Sequence, residues 1–301
     1  MRIVIGSRGS ALALWQANWV RDRLASAGHE VDVRVIRTSG DRLVRVPLES
    51  SGVKGLFVKE IEEALAAGTI DVAVHSFKDL PTEQPPGLGV AAVPAREDPH
   101  DAYISGDGRS FNDLPPGSRV GTSSLRRQSQ LRYLRDDIEV VPIRGNVDTR
   151  LRKLERGECD ALVVAAAGLM RLGLLSRITH CFPPAKLCPA VGQGALAIET
   201  RESDRPLADA VRVLDDPVAH TTVRAERAAL RGLGGGCAVP IAAHASLSDG
   251  RLDIIGVVAR PDGSRLIRAR ALGPGSDPDA VGLALAQDLL LQGARDILEA
   301  A

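Results

Sequence analysis

The residues best suited to chemistry in this 301-residue chain are arginines, and they are bunched. Between Gly121 and Lys153 stand eight basic residues, Arg126, Arg127, Arg132, Arg135, Arg144, Arg150, Arg152 and Lys153, against four acids, Asp136, Asp137, Glu139 and Asp148. Arg126 and Arg127 fall in the first turn of a helix expected over 124–135, where cations oppose the helix dipole. After Gly121-Thr122-Ser123-Ser124, such a start is unfavourable unless an anion binds there, met by free backbone N–H groups, hydroxyls and guanidinium forks. Arg144 is expected to end a strand and Arg150 to lie one turn into the next helix. Ser7, Arg8 and Ser10 decorate the equivalent turn near the N-terminus. A solvated basic face is the plainer alternative; the preferred reading is a cleft for a polyanion.

A second group, His75-Ser76-Phe77-Lys78-Asp79, closes an apolar strand, the end at which open parallel sheets bind ligands. Set among arginines, the Asp79 carboxylate can stay ionised and stabilise a cationic intermediate, or shuttle a proton. Lys78 could act as a Schiff-base nucleophile, and the Lys78-Asp79 pair could equally be a surface feature. Cys237 follows three glycines, which leave room beside the sulfur and allow unusual backbone angles. It could be a nucleophile, an attachment point or an inert apolar filler. Cys159 suits the filler role, while Cys181 and Cys188 fall in a Pro-rich crossing. With His180 they do not make a metal-ligand spacing, and no metal is expected.

The wider composition narrows the class. Lys+Arg and Asp+Glu both number 38, so the formal charge is zero. That balance disfavours a non-specific nucleic-acid binder. Two Trp, two Tyr and four Phe are too few for base-stacking platforms. The longest apolar stretch, 161–170, is far short of a membrane span, and the N-terminus lacks the features of a signal peptide. The expectation is a cytoplasmic protein with free thiols, without nucleic-acid or membrane partners. Of the basic residues 33 are arginine and only five lysine. Codon preference would explain this, and so would a need for the bidentate fork that ammonium lacks.

The elements that must position these groups read as alternating strands and helices, the sign of α/β architecture with mainly parallel sheets. Residues 2–5 form a strand, 12–24 a helix stopped by Gly28, 31–35 a strand, 57–67 a helix, and 71–74 a buried strand. The plan then repeats. Helix, Gly68-x-x-Asp71 and apolar strand recur as helix, Gly157-x-x-Asp160 and apolar strand, offset by 89 residues. Val4-Ile5-Gly6-Ser7 likewise matches Arg119-Val120-Gly121-Thr122. Two similar α/β domains flanking a cleft follow, with crossings near 94–99 and 183–194. After Pro217 come a helix, strands at 241–247, 252–260 and 264–272, and a helix over 279–298, a small α+β domain. The expected division is 1–94 with 195–212, then 100–188, then 217–301.

Nine strings carry a resemblance to the porphobilinogen deaminase (hydroxymethylbilane synthase) family. They are Ser7-Arg8-Gly9-Ser10-Ala11-Leu12-Ala13, Gly55-Leu56-Phe57-Val58-Lys59-Glu60, His75-Ser76-Phe77-Lys78-Asp79-Leu80-Pro81 and Arg96-Glu97-Asp98-Pro99. They continue as Gly121-Thr122-Ser123-Ser124-Leu125-Arg126-Arg127-Gln128, Arg144-Gly145-Asn146-Val147, Val191-Gly192-Gln193-Gly194-Ala195, Ala225-Glu226-Arg227 and Gly235-Gly236-Cys237-Ala238-Val239-Pro240. Together they span essentially the whole chain. The resemblance implies two periplasmic-binding-protein-like α/β domains and a small C-terminal domain, as a monomer. It implies head-to-tail joining of porphobilinogen units, with loss of ammonia, into the linear tetrapyrrole hydroxymethylbilane of heme and porphyrin biosynthesis.

It further implies a dipyrromethane cofactor in thioether linkage to Cys237. Asp79 matches the main catalytic group, which would stabilise the azafulvene-type cation left by deamination. Lys78, Thr122, Ser123, Ser124, Arg126 and Arg127 match cofactor contacts. Arg8, Ser10, Arg144, Arg150, Arg171 and Gln193 match substrate contacts, as does Phe57 on a covering loop over about 42–58. Two other classes fit parts of the pattern, a non-catalytic hinge-type receptor for a polycarboxylate and a Schiff-base lyase using Lys78. The Gly-Gly-Gly-Cys segment and the lack of an export signal count against the receptor.

Overall fold

The computed structural model describes residues 1–39, 58–235 and 240–299. Phe57, Cys237 and nearly all of the 42–58 segment lie outside them. The chain divides into two compact units, Met1–Glu97 with Gly194–His220 and Asp98–Gln193 with Thr221–Ala301.

The first unit is built on β1 (Arg2–Ser7), β2 (Glu30–Val35), β3 (Val72–Ser76), β4 (Leu88–Ala92) and a strand from later in the chain, β10 (Leu196–Arg201). The late strand lies between β3 and β4 and runs antiparallel to both, whereas β1, β2 and β3 are parallel. Side-chain alternation gives the sheet two buried faces. Ile3, Ile5, Val72 and Val74 pack against Ala17, Val20 and Leu24 of helix Ala11–Ser26. Ala73 and Leu88 face Ile61 and Leu65 of helix Lys59–Ala66. Gly28, at φ 89°, ends the first helix by a paired closure in which its N–H donates to Ala25 O and the His29 N–H to Leu24 O.

The second unit repeats this plan with β5 (Asp101–Ser105), β6 (Arg119–Gly121), β7 (Glu139–Val141), β8 (Ala161–Ala165) and β9 (His180–Phe182). The order β7-β6-β8-β5-β9 again inserts one antiparallel strand, β5, beside the third strand of the parallel set. Both units therefore have an α/β arrangement, and the two are similar, as expected. The 89-residue offset has a physical basis in a shared clamp. Asp71 N–H donates to Val4 O and its Oδ2 accepts from Val4 N (2.9 Å). Asp160 makes the same two bonds to Arg119, the carboxylate one at 2.7 Å. The glycine three residues earlier turns the chain out of its helix with φ 69° at Gly68 and 71° at Gly157.

The same unit holds an antiparallel sheet of β11 (Ile241–Ser248), β12 (Arg251–Ala259) and β13 (Leu266–Pro274), covered by helix Pro278–Leu291. Three expectations change. The final helix is two, separated at Gly293 (φ 93°) before Ala294–Glu299. Cys181 is not in an irregular crossing but in β9, an edge strand on β5. Arg144 does not end a strand: β7 stops at Val141, and Arg144 precedes the turn at Gly145 (φ 112°).

Candidate active site

In the first unit, β3 delivers His75-Ser76-Phe77-Lys78-Asp79 to one end of the sheet. The strand stops at Ser76, and Phe77–Asp79 forms a single 3-10 turn closed by Leu80 N–H to Phe77 O. The turn is fixed on both faces. Ser76 Oγ accepts from Nε2 of the buried Gln16 (2.9 Å) on helix Ala11–Ser26. On the other face the buried His75 meets buried Glu199 (3.1 Å) on the inserted strand. Phe77 is buried and its N–H donates to Ala195 O, while Lys78 is half-buried and Asp79 is exposed. A fixed backbone thus presents one carboxylate to solvent at the C-terminal end of a strand.

The other predicted residues of this unit lie on the turn after β1. Ser7 is fully buried, its hydroxyl donating to Ala13 O (3.1 Å). Ser10, expected to meet substrate, is the N-cap of helix Ala11–Ser26, its Oγ accepting from Ala13 N (3.3 Å). Arg8 is half-buried between them.

In the second unit, Arg126 and Arg127 stand in the first turn of helix Leu125–Leu134, capped by the backbone of Ser124. Both are buried, at 6 and 5 % exposure, and an anion meets their guanidinium groups there. That anion is an internal side chain, Asp101 at the start of β5, which the sequence reading had not singled out. Arg126 donates from Nη1 to Oδ2 (2.6 Å) and from Nη2 to Oδ1 (3.2 Å). Arg127 donates from Nε (2.9 Å) and Nη2 (2.7 Å) to Oδ1. Gln193, also buried, adds Nε2 to Oδ1 (2.9 Å) and to Pro99 O (2.7 Å).

Burial alone would push the Asp101 carboxyl up. The charges of Arg126 and Arg127, with their hydrogen bonds, outweigh that and hold it far below the ordinary aspartate value. Burial lowers the Arg127 guanidinium, with the Asp101 charge acting against it. Two guanidinium groups share one carboxylate here, so the cluster keeps a positive charge, and Arg126 Nε is buried without an acceptor. An orphaned buried donor on a cationic group is the kind of atom that a ligand carboxylate satisfies.

Around this helix start, Thr122 is buried and its Oγ1 accepts from Ser124 N (3.3 Å), while Ser123 Oγ donates to Ile143 O (3.1 Å). Arg150, in helix Val147–Glu155, turns its Nε back to Gly145 O (2.8 Å) and is half-buried, like Arg144. Arg171 ends the short helix Ala166–Arg171 and is buried. Glu226, fully buried, accepts from Gly192 N (2.7 Å) and Ala245 N (2.8 Å), tying the Val191–Gly192 turn to the C-terminal sheet. Among the described residues no group of His, Cys, Asp and Glu could hold a metal ion, and no helix is long and apolar enough to cross a membrane.

The chain matches two family models, described as porphobilinogen deaminase, dipyromethane cofactor binding domain, over residues 3–209, and porphobilinogen deaminase, C-terminal domain, over 220–291. Among curated proteins it is 53 % identical over 300 residues to porphobilinogen deaminase of Thiobacillus denitrificans, covering 99 % of this chain and 98 % of that one. Against the enzyme of the same name from Pelobacter propionicus the identity is 51 % over 297 residues, with 98 % and 96 % covered. For that of Geobacter sulfurreducens it is 49 % over 299 residues, with 99 % and 94 % covered.

Proposed function

The chain belongs to the porphobilinogen deaminase family, and from that premise we propose how its own residues carry the reaction. The activity is a transferase one. Porphobilinogen units are condensed head to tail, with release of ammonia, into the linear tetrapyrrole hydroxymethylbilane on a dipyrromethane cofactor.

The observation that carries the assignment of the acting group is the exposed carboxylate of Asp79, held on a turn whose neighbours on both faces are buried and bonded. An ionised carboxylate there stabilises the cation left when porphobilinogen loses ammonia, and it accepts or returns the pyrrole proton as each bond forms. Lys78, half-buried beside it, supplies positive charge for a ring carboxylate. In this reading Lys78 is an ion-pairing group and not a Schiff-base nucleophile.

Bound to the protein, the dipyrromethane supplies the pyrrole carbon on which the chain grows. Arg126 and Arg127 fit its acidic side chains through the surplus charge on their cluster and the orphaned Nε. Thr122, Ser123 and Ser124 offer hydroxyl and backbone donors at the same helix start. Cys237 is assigned as the thioether attachment point. Arg8, Ser10, Arg144, Arg150, Arg171, Gln193 and Phe57 are assigned to the acetate and propionate groups of incoming substrate. Of these, Gln193 acts through Asp101 from a buried position, and Ser10 meets substrate while capping its own helix. A monomeric, cytoplasmic protein of three domains completes the proposal.

The test is Asp79→Ala. The variant keeps the wild-type melting temperature and loses nearly all consumption of porphobilinogen, followed by ammonia release. Wild-type turnover in that variant would end the assignment. Intact mass of the wild-type protein should exceed the sequence mass by a dipyrromethane, and Cys237→Ser should remove the excess.

A further inference from the structure

The first unit buries a second ionisable group that the reaction as described does not use. His75 Nε2 lies 3.1 Å from Glu199 Oε2. Glu62 lies on helix Lys59–Ala66, which covers the same face of the sheet, and it feels the charges of both residues. Exposures are 4 % for His75, 0 % for Glu199 and 8 % for Glu62. Glu62 Oε1 and Glu199 Oε1 are both buried without a hydrogen-bond partner. Burial raises the Glu62 carboxyl, the Glu199 charge raises it further, and the His75 charge acts against them. The next charged groups along this face are Arg201, Asp71 and Asp204, and they are bound to one another.

The fold does not require charge at these positions, and the internal repeat shows it. An offset of 89 carries Glu62 to Leu151 and His75 to Val164. The strand pairings Glu199 with Ala73 and Ile104 with Leu162 carry Glu199 to Ile104. In the second unit, Ile104, Leu151 and Val164 lie in one apolar core cluster. The same three places are therefore hydrophobic in one copy and ionisable in the other. The ionisable copy is the one whose third strand runs straight into the Asp79 turn.

We propose that His75, Glu199 and Glu62 form a buried proton-holding cluster that positions the Phe77–Asp79 turn for catalysis. Two carboxylates and one imidazole at such depth can match only one ion pair, so the third group is held as the neutral acid. Ionising it places an unmatched charge behind the strand that carries Asp79, and the turn shifts. His75, Glu199 and Glu62 are thus positioning residues; they act through the strand and do not touch substrate. The inference rests on Asp79 as the acting carboxylate.

The experiment transplants the apolar trio of the second unit, as Glu62→Leu, His75→Val and Glu199→Ile together, into the holoenzyme. The trio should fold with an unchanged or raised melting temperature. Its kcat should fall about tenfold or more while KM stays within about twofold, as expected when only transition-state positioning is lost. A second variant, Glu62→Gln, fixes the neutral form and should carry the alkaline limb of kcat upward by about half a pH unit or more. Wild-type kcat in the transplant, with Asp79→Ala inactive, would overturn the cluster and leave the Asp79 assignment standing. So would a Glu62→Gln profile superimposed on wild type, whether or not the transplant folds.

Discussion

Replacing Asp101 by Asn tests whether the buried diarginine cluster is held by one internal charge. Its carboxylate accepts from Arg126 twice, Arg127 twice and Gln193 once. Asn keeps the shape and one acceptor. Its oxygen would take the Oδ1 place, where four of these bonds converge, and its amide would then face Arg126 Nη1, donor against donor. Two buried guanidinium groups would be left without a counter-charge, which costs about 3–5 kcal/mol. In a folding unit of 150–250 residues each kcal/mol lowers Tm by about 2–4 °C, so the loss is roughly 6–20 °C.

Calorimetry at neutral pH measures it, and a drop of less than about 2 °C would refute the reasoning. The pH dependence gives an independent check. The Asp101 carboxyl is held below its ordinary value of 3.8, so its contribution is complete above that value and is lost as pH falls. The gap between wild type and Asp101→Asn should therefore be constant from neutral pH to about pH 5 and close in stronger acid. Removing all three charges, as Asp101→Leu with Arg126→Met and Arg127→Leu, should recover stability, since buried ion pairs are often no better than apolar packing. The first unit already has a leucine, Leu196, at the matching register. That recovered protein should still fail to retain dipyrromethane.

Two further outcomes follow from the described geometry. Ser10→Ala removes the N-cap of helix Ala11–Ser26 and should cost about 1 kcal/mol in urea unfolding. An unchanged midpoint would mean that the cap carries no load. Burial pushes the Cys188 thiol up to about 12 and the Cys159 thiol up to about 11. Neither should form thiolate at pH 8, and neither should react with an aromatic disulfide until the protein unfolds; labelling of either in the native state within seconds would contradict this.

Much of the architecture was legible because it rests on local signals. Gly68 and Gly157 terminate helices by their own backbone freedom, and Asp71 and Asp160 clamp the matching strands β1 and β6, so the repeat leaves a fixed spacing in the sequence. Where the reading failed, the deciding partner was distant in the chain. Asp101 meets Arg126 across 25 residues because β5 pairs with β8 from the far side, and no local pattern announces that insertion. His75 meets Glu199 across 124 residues for the same reason, a late strand placed beside β3. A lone acid at the head of the apolar run Asp101-Ala102-Tyr103-Ile104 was the available signal, since buried carboxylates are rare unless paired. β9 was missed because three residues on an edge leave too little alternation to read.

The internal anion changes what the arginines can do for a ligand. Two unpaired guanidinium groups would repel one another and would need two carboxylates from outside to become neutral. With Asp101 between them, the pair is already held in place at a net charge of one, the geometry paid for within the fold. On the proposed assignment, a ligand would supply a single carboxylate and meet side chains that need not reorganise. The same logic explains why the two units place their buried polar groups at non-equivalent positions of one plan. The second unit has Asp101 where the first has Leu196, and the first has His75, Glu199 and Glu62 where the second has Val164, Ile104 and Leu151. Burying charge in a repeated fold is costly in either copy. Each copy accepts that cost next to the group it presents, cationic donors in one and a carboxylate in the other.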